Sequence, residues 1–156
     1  MDMIPKSGAF PLQKVLEYRK HLENMRAVEL GKKKAEHLKA EEELHALKQR
    51  KEEMLKEASK EISESPKINL VRLKMQKEYL ESLSTRIGKQ KEDVRHLEKE
   101  VEKRREALNG AVKERKMVEK LKEKFSERAK AEARHKEEIK IDEVAIRMKT
   151  AGNQGV

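Results

Sequence analysis

The sequence predicts an all-α protein, a long antiparallel two-helix coiled-coil hairpin with a C-terminal helical overhang. Three observations predict it. Charged residues make up 44% of the 156-residue chain and aromatics only 3%, which leaves too few large apolar side chains for a globular core. The apolar residues that are present, mainly Leu, Val, Ile, Ala and Met, recur at steps of three and four. A single serine-proline break, Ser63-Glu64-Ser65-Pro66, interrupts this rhythm between two long stretches. A chain this charged would be disordered if its apolar residues were unphased. They are phased.

Residues 1–11 contain Pro5, Gly8 and Pro11 and read as an irregular arm. Pro11 suits a helix start, where its missing N–H costs little. A first amphipathic helix is expected over 12–62, with Leu12, Val15, Leu22, Met25, Leu38, Leu44, Leu47, Met54, Ala58 and Ile62 near successive steps of three and four. Polar residues at Arg19, Lys33 and Lys51 interrupt it. At 1.5 Å per residue, roughly 50 residues span about 75 Å.

The turn is expected at 63–66. Pro66 cannot occupy a helix interior, whereas Ser65 can cap a new helix with Pro66 at its first position. A second helix over 67–149 carries the clearer heptad. Leu80, Ile87, Val94, Val101 and Leu108 fall seven apart, with Leu83, Leu97, Ala111, Val118 and Phe125 on the companion seam. Gln90 and Arg104 are polar exceptions of the kind that cost stability but select register. Residues 150–156 read as a flexible tail.

A short turn between long helices favours an antiparallel pair. Folding there sets together residues whose numbers sum to about 130, so that Leu22 faces Leu108, Leu44 faces Ile87 and Leu47 faces Leu83. Leu12 then reaches about Val118, and residues 122–149 form an overhang that still carries Phe125, Ile139, Ile141, Val144, Ile146 and Met148. Fraying, self-association and a second protein are the possible fates of such a helix.

Residue chemistry excludes several functions. Without Cys there is no disulfide framework and no thiolate metal site. Glu41 and His45 share a helix face, but no second His joins them, so a solvated face is expected and no metal. Gly31-Lys32-Lys33-Lys34 lacks the other residues of a phosphate loop and falls inside a helix. A two-helix coiled coil has no water-excluding pocket for carboxylate catalysis, so no enzyme, catalytic residue or cofactor is expected. The net charge of +9, concentrated over 67–116 (roughly +6), would attract an acidic protein, an anionic membrane or nucleic acid. Lys and Arg are nevertheless interleaved with Glu, and no aromatic platform is present, so nucleic acid is not the expected partner. Residues 1–11 lack an apolar run and no stretch is long enough to span a bilayer, so a cytoplasmic protein is expected.

Two segments carry a family resemblance. Phe10-Pro11-Leu12-Gln13-Lys14-Val15-Leu16-Glu17-Tyr18-Arg19 resembles the opening of the flagellar type III export family FliJ, and Lys116 through Lys124 resembles its second signature. Glu137-Glu138 followed by Asp142-Glu143-Val144-Ala145 resembles the family's close. Injectisome counterparts share the architecture. The resemblance implies a non-enzymatic stalk or escort at the cytoplasmic face of the inner membrane, held there through partners alone. It implies binding to the ring of the hexameric export ATPase, to the membrane export gate and to substrate chaperones. The matching positions implied for the ATPase ring are Leu12, Gln13, Val15, Leu16, Arg19, Glu119, Lys120, Leu121, Lys122 and Lys124, joined by Phe125. A self-associating structural scaffold is the alternative.

Overall fold

A computed structural model describes residues 8–64 and 66–155. Two helices account for nearly all of them: α1 (Gln13–Glu64, 52 residues) and α2 (Leu70–Gly152, 83 residues). No strand occurs among the described residues, and the fold is the predicted all-α helical hairpin.

Each helix start has a local cause. Ahead of α1, Gly8 adopts φ 123°, a left-handed conformation that favours glycine. The Phe10 carbonyl accepts from the Gln13 N–H at 3.2 Å, and the Leu12 carbonyl accepts from the Leu16 N–H at 2.9 Å. Pro11 therefore lies in the lead-in turn, where it has no helical bond to lose. Residues 1–7 of the expected arm lie outside the described residues.

At α2 the expected boundary is corrected. Asn69 is the N-cap: its Oδ1 accepts from the N–H groups of Val71 (3.2 Å) and Arg72 (3.3 Å), while its carbonyl accepts from Leu73 (3.0 Å). Asn caps as well as Ser does, and it stands immediately before the first apolar residue of the helix. Residues 66–69 thus precede α2, which opens at Leu70 rather than 67, and Pro66 lies ahead of the helix instead of opening it. The expected cap, Ser65, lies outside the described residues. α1 continues to Glu64, two residues past the expected end, and α2 continues to Gly152, three past its own.

The chain divides into two compact units: Met1–Glu23 with Gly110–Val156, and Asn24–Asn109. The second unit contains the turn and is itself an antiparallel helical hairpin. Leu30, Ala40, Leu83, Ile87 and Val94 are buried in its seam, flanked by half-buried Leu44, Leu47, Met54, Leu80 and Leu97. Polar bonds cross between these layers. Gln90 donates from Nε2 to the Ala40 carbonyl (3.0 Å) and to Glu43 (3.3 Å). Glu29 pairs with Arg104 at 3.3 Å, and Glu61 pairs with Arg72 at 2.7 Å. The numbers of the side-chain partners sum to 133, against the expected 130, while Gln90 and the Ala40 carbonyl sum to 130. The shift follows from the turn, whose midpoint is near residue 67 because α2 starts at Leu70.

In the other unit, Leu16 and Ala111 are buried and Val118 is half-buried. The Phe10 and Phe125 rings meet with centroids 5.7 Å apart, tilted by 59°. From Ser126 to Gly155 every residue is exposed, so the uncovered part of α2 begins past Phe125 rather than at 122.

The seam of α1 also differs from expectation. Leu12, Val15, Met25, Leu38 and Ile62 are all exposed. The inward line instead runs through Leu16, Arg19, Glu23, Arg26, Leu30, Lys33, His37, Ala40, Leu44, Leu47, Lys51, Met54, Ala58 and Glu61. Long Lys and Arg side chains can lie along a seam with their stems while their heads remain in water. Arg19, Lys33 and Lys51 therefore continue the stripe they were expected to interrupt.

These placements give separable stability effects, all readable by urea unfolding followed by circular dichroism. Leu83, 2% exposed, should cost about 2–5 kcal/mol when changed to Ala, whereas Leu38→Ala, at a position 56% exposed, should stay within about 0.5 kcal/mol. Asn69→Ala should cost about 1 kcal/mol through the lost cap. A methyl added at Gly88 meets nothing within 4 Å, so Gly88→Ala should stabilise by roughly 0.5–1 kcal/mol.

Candidate protein-binding site

The start of α1 and α2 from Gly110 onward form one unit, and the residues singled out from the sequence all fall inside it. The aromatic pair at its edge brings the lead-in to α1 against α2. Three open grooves result. Leu12, Leu121, Lys124 and Phe125 line the first, together with Phe10, Pro11 and Arg128. Gln13, Lys122 and Phe125 help line the second, with Ser126, Ala129 and Lys130 beyond them. Leu16, Glu119 and Lys122 line the third, beside Lys20, Glu123 and Glu127.

Not every candidate residue is available to a partner. Leu16 is 1% exposed, so its surface is already spent on packing within the chain. Arg19 is ion-paired with Glu114 on α2. Glu119 holds Arg115 at 2.7 Å, and Arg115 also pairs with Glu23 on α1. The Glu23 carboxylate first, and then that of Glu119, hydrogen-bonds the Arg115 guanidinium and raises its pKa above the ordinary value. Val15 and Lys120 are exposed but line none of the three grooves. Of the sequence candidates, Leu12, Gln13, Leu121, Lys122, Lys124 and Phe125 line the grooves without being buried or tied into a cross-helix ion pair.

The grooves also take in residues that are not among the sequence candidates, Phe10, Lys20, Ser126, Arg128 and Lys130 among them. Phe10 was quoted only as part of a motif, although it and Phe125 are the two Phe in the chain and their numbers sum to 135, which marks them as partners. Arg128 follows Leu121 by seven residues and so returns to the same helix face.

Beyond Phe125, Ile141, Val144 and Met148 are exposed on one stripe of α2. Ile139 and Ile146, also exposed, recur seven apart on another. Both the grooves and these stripes lie in the same unit and leave apolar side chains exposed among Lys and Arg residues.

Metal-ligating side chains converge once among the described residues. His37, Glu41 and Glu98 bring ligand atoms within 4.8 Å of one another, a grouping that does not include His45. His37 Nε2 lies 3.6 Å from Glu41 and 3.7 Å from Glu98. Both carboxylates are about half exposed, and neither comes within hydrogen-bond distance of the buried Nε2. Elsewhere, a hydrogen bond from Lys103 lowers the Glu100 carboxyl pKa, an ordinary surface pairing one helical turn apart. None of the described helices is long and apolar enough to cross a membrane.

Residues 8–153 match the family model described as the flagellar FliJ protein. No curated protein and no solved structure gives a match.

The aromatic contact makes a local prediction. Phe125→Ala should remove the support of the α1 lead-in and raise amide hydrogen exchange over Gln13–Lys20 about tenfold, an effect set by the loss of a partly buried ring pair. Unchanged exchange would show that the rings do not anchor this end of α1.

Proposed function

Because the chain belongs to the flagellar FliJ family, we propose that it is a cytoplasmic, non-enzymatic stalk or escort of the flagellar protein export apparatus. In this role it binds and stimulates the hexameric export ATPase at the cytoplasmic face of the inner membrane, and it couples that ATPase to the export gate and to substrate chaperones. The observation that carries this reading is the gathering of both family signature segments in one unit, where Leu12 and Gln13 from the first line grooves together with Leu121, Lys122 and Lys124 from the second.

The arrangement suits a ring-binding role. Apolar Leu12, Leu121 and the edge of Phe125 supply area to bury, and the cations Lys122, Lys124 and Arg128 stand around them. A ring mouth lined by carboxylates and carbonyl oxygens would be steered by those charges and held by the apolar centre. Stimulation then acts through assembly: a chain that contacts several subunits at once favours the closed ring over separate subunits by mass action. None of this requires a nucleotide site on the chain itself.

A structural scaffold that self-associates is the second reading, favoured by the exposed stripe of Ile141, Val144 and Met148. Light scattering separates the two, with a monomer expected for the stalk and a concentration-dependent dimer for the scaffold.

The binding site has its own test. Leu121→Asp with Lys124→Glu changes two exposed positions, so helix content should be retained while stimulation of the hexameric ATPase falls at least tenfold. Truncation after Lys120 should abolish co-purification with the ATPase. Full stimulation by the double variant would remove these grooves from the interface.

A further inference from the structure

The unit that contains the turn carries a second surface that the ATPase reading does not use. Ile68, Leu70, Val71 and Met75 are exposed by 57%, 77%, 70% and 65% around the link and the first turns of α2. Their neighbours Leu73 and Gln76 face inward, so the apolar residues left outside are not part of the helix pair. Such a cluster at one end of a hairpin is an apolar patch without an intrachain partner.

Its charge identifies what would cover it. From Lys60 to Glu78 the chain holds five basic residues and three acids, Glu61, Glu64 and Glu78, a net charge of +2. Glu61 is engaged by Arg72 at 2.7 Å and by Gln76 at 3.2 Å. Lys74 and Lys77 are exposed and make no ion pair among the described residues, so the excess around the patch is positive. Short apolar side chains ringed by lysines match the boundary between acyl chains and anionic headgroups of a lipid bilayer, where apolar tips sink a few ångströms and ammonium groups meet phosphates. A second copy of the chain is a poorer occupant, because a two-fold contact would set these lysines against their own kind.

We propose that the turn of this hairpin docks directly on an anionic phospholipid surface, with Ile68, Leu70, Val71 and Met75 entering the interface and Lys74 and Lys77 meeting its headgroups. The inference adds a lipid contact to the protein partners and does not depend on them. It would hold this chain at a membrane although none of the described helices is long and apolar enough to cross one.

The test uses the full-length chain and vesicles. Sedimentation with phosphatidylglycerol-containing vesicles should capture the protein, phosphatidylcholine vesicles should not, and added salt should weaken the capture. Lys74→Glu with Lys77→Glu should reduce binding at least tenfold, in keeping with the worth of each basic residue near such a surface. Leu70→Glu with Val71→Glu should reduce it as strongly without loss of helix, because acidic residues suit the first turn of α2. The chain has no Cys, so Val71→Cys takes a single polarity-sensitive dye whose emission should shift to the blue on anionic vesicles, while a dye at Glu102→Cys should not respond. No capture by anionic vesicles overturns the proposal. So does capture with no shift at position 71, or capture undiminished in Leu70→Glu with Val71→Glu, since either would mean attraction by overall charge. A shift given by a soluble acidic protein and not by vesicles would assign the patch to a protein and overturn it as well.

Discussion

Neither helix of this protein can bury its apolar stripe alone, and the seam between α1 and α2 is the interaction on which the remaining structure depends. Within the turn-containing unit, Leu83, Ile87 and Val94 of α2 are covered by an α1 face whose members include Leu30, Ala40, Leu44 and Leu47. The apolar content is thin, and polar layers alternate with it. Gln90 reaches the Ala40 carbonyl, and Arg104 reaches Glu29. Apolar layers supply the burial that stabilises the pair, while the polar layers hold it at one stagger.

Much of this was legible in the residues, though unevenly. α2 was readable because its seam is mostly Leu, Ile, Val and Ala at strict sevens, so period and burial coincide. α1 was not, because its inward line passes through Arg19, Glu23, Arg26, Lys33, His37, Lys51 and Glu61, while Met25 and Leu38 lie outside it. A hydrophobic count follows the apolar residues, whereas the helix follows its partner. The turn was found but misplaced by three residues, since Ser65-Pro66 and Asn69 offer equally good local chemistry and tertiary pairing selects Asn69. That displacement carries through to the register, which sets Gln90 against Glu43 and Arg104 against Glu29.

The candidate binding surface shows the same division. Motif resemblance drew attention to the two segments that share a unit, yet it could not separate residues that present themselves from residues that are consumed. Leu16 is consumed by packing, and Arg19 and Glu119 by ion pairs. Those roles depend on cross-helix partners such as Glu114 and Arg115, whose identities matter only once the register is known. A Leu at the same period as other Leu residues is a core residue or a contact residue according to what stands opposite, and sequence spacing alone is silent on that.

The direction of the ion pairs has one last consequence. In the turn-containing unit, both Arg–Glu bridges between the helices place the acid on α1 and the guanidinium on α2: Glu29 with Arg104, and Glu61 with Arg72. Two copies of α2 laid side by side at those levels would bring guanidinium to guanidinium, and two copies of α1 would bring carboxylate to carboxylate. At those two levels each helix is therefore complementary to the other and mismatched to itself, a bias that charged flanking positions impose on coiled coils generally. There the charge pattern favours closure of one chain over the pairing of like helices.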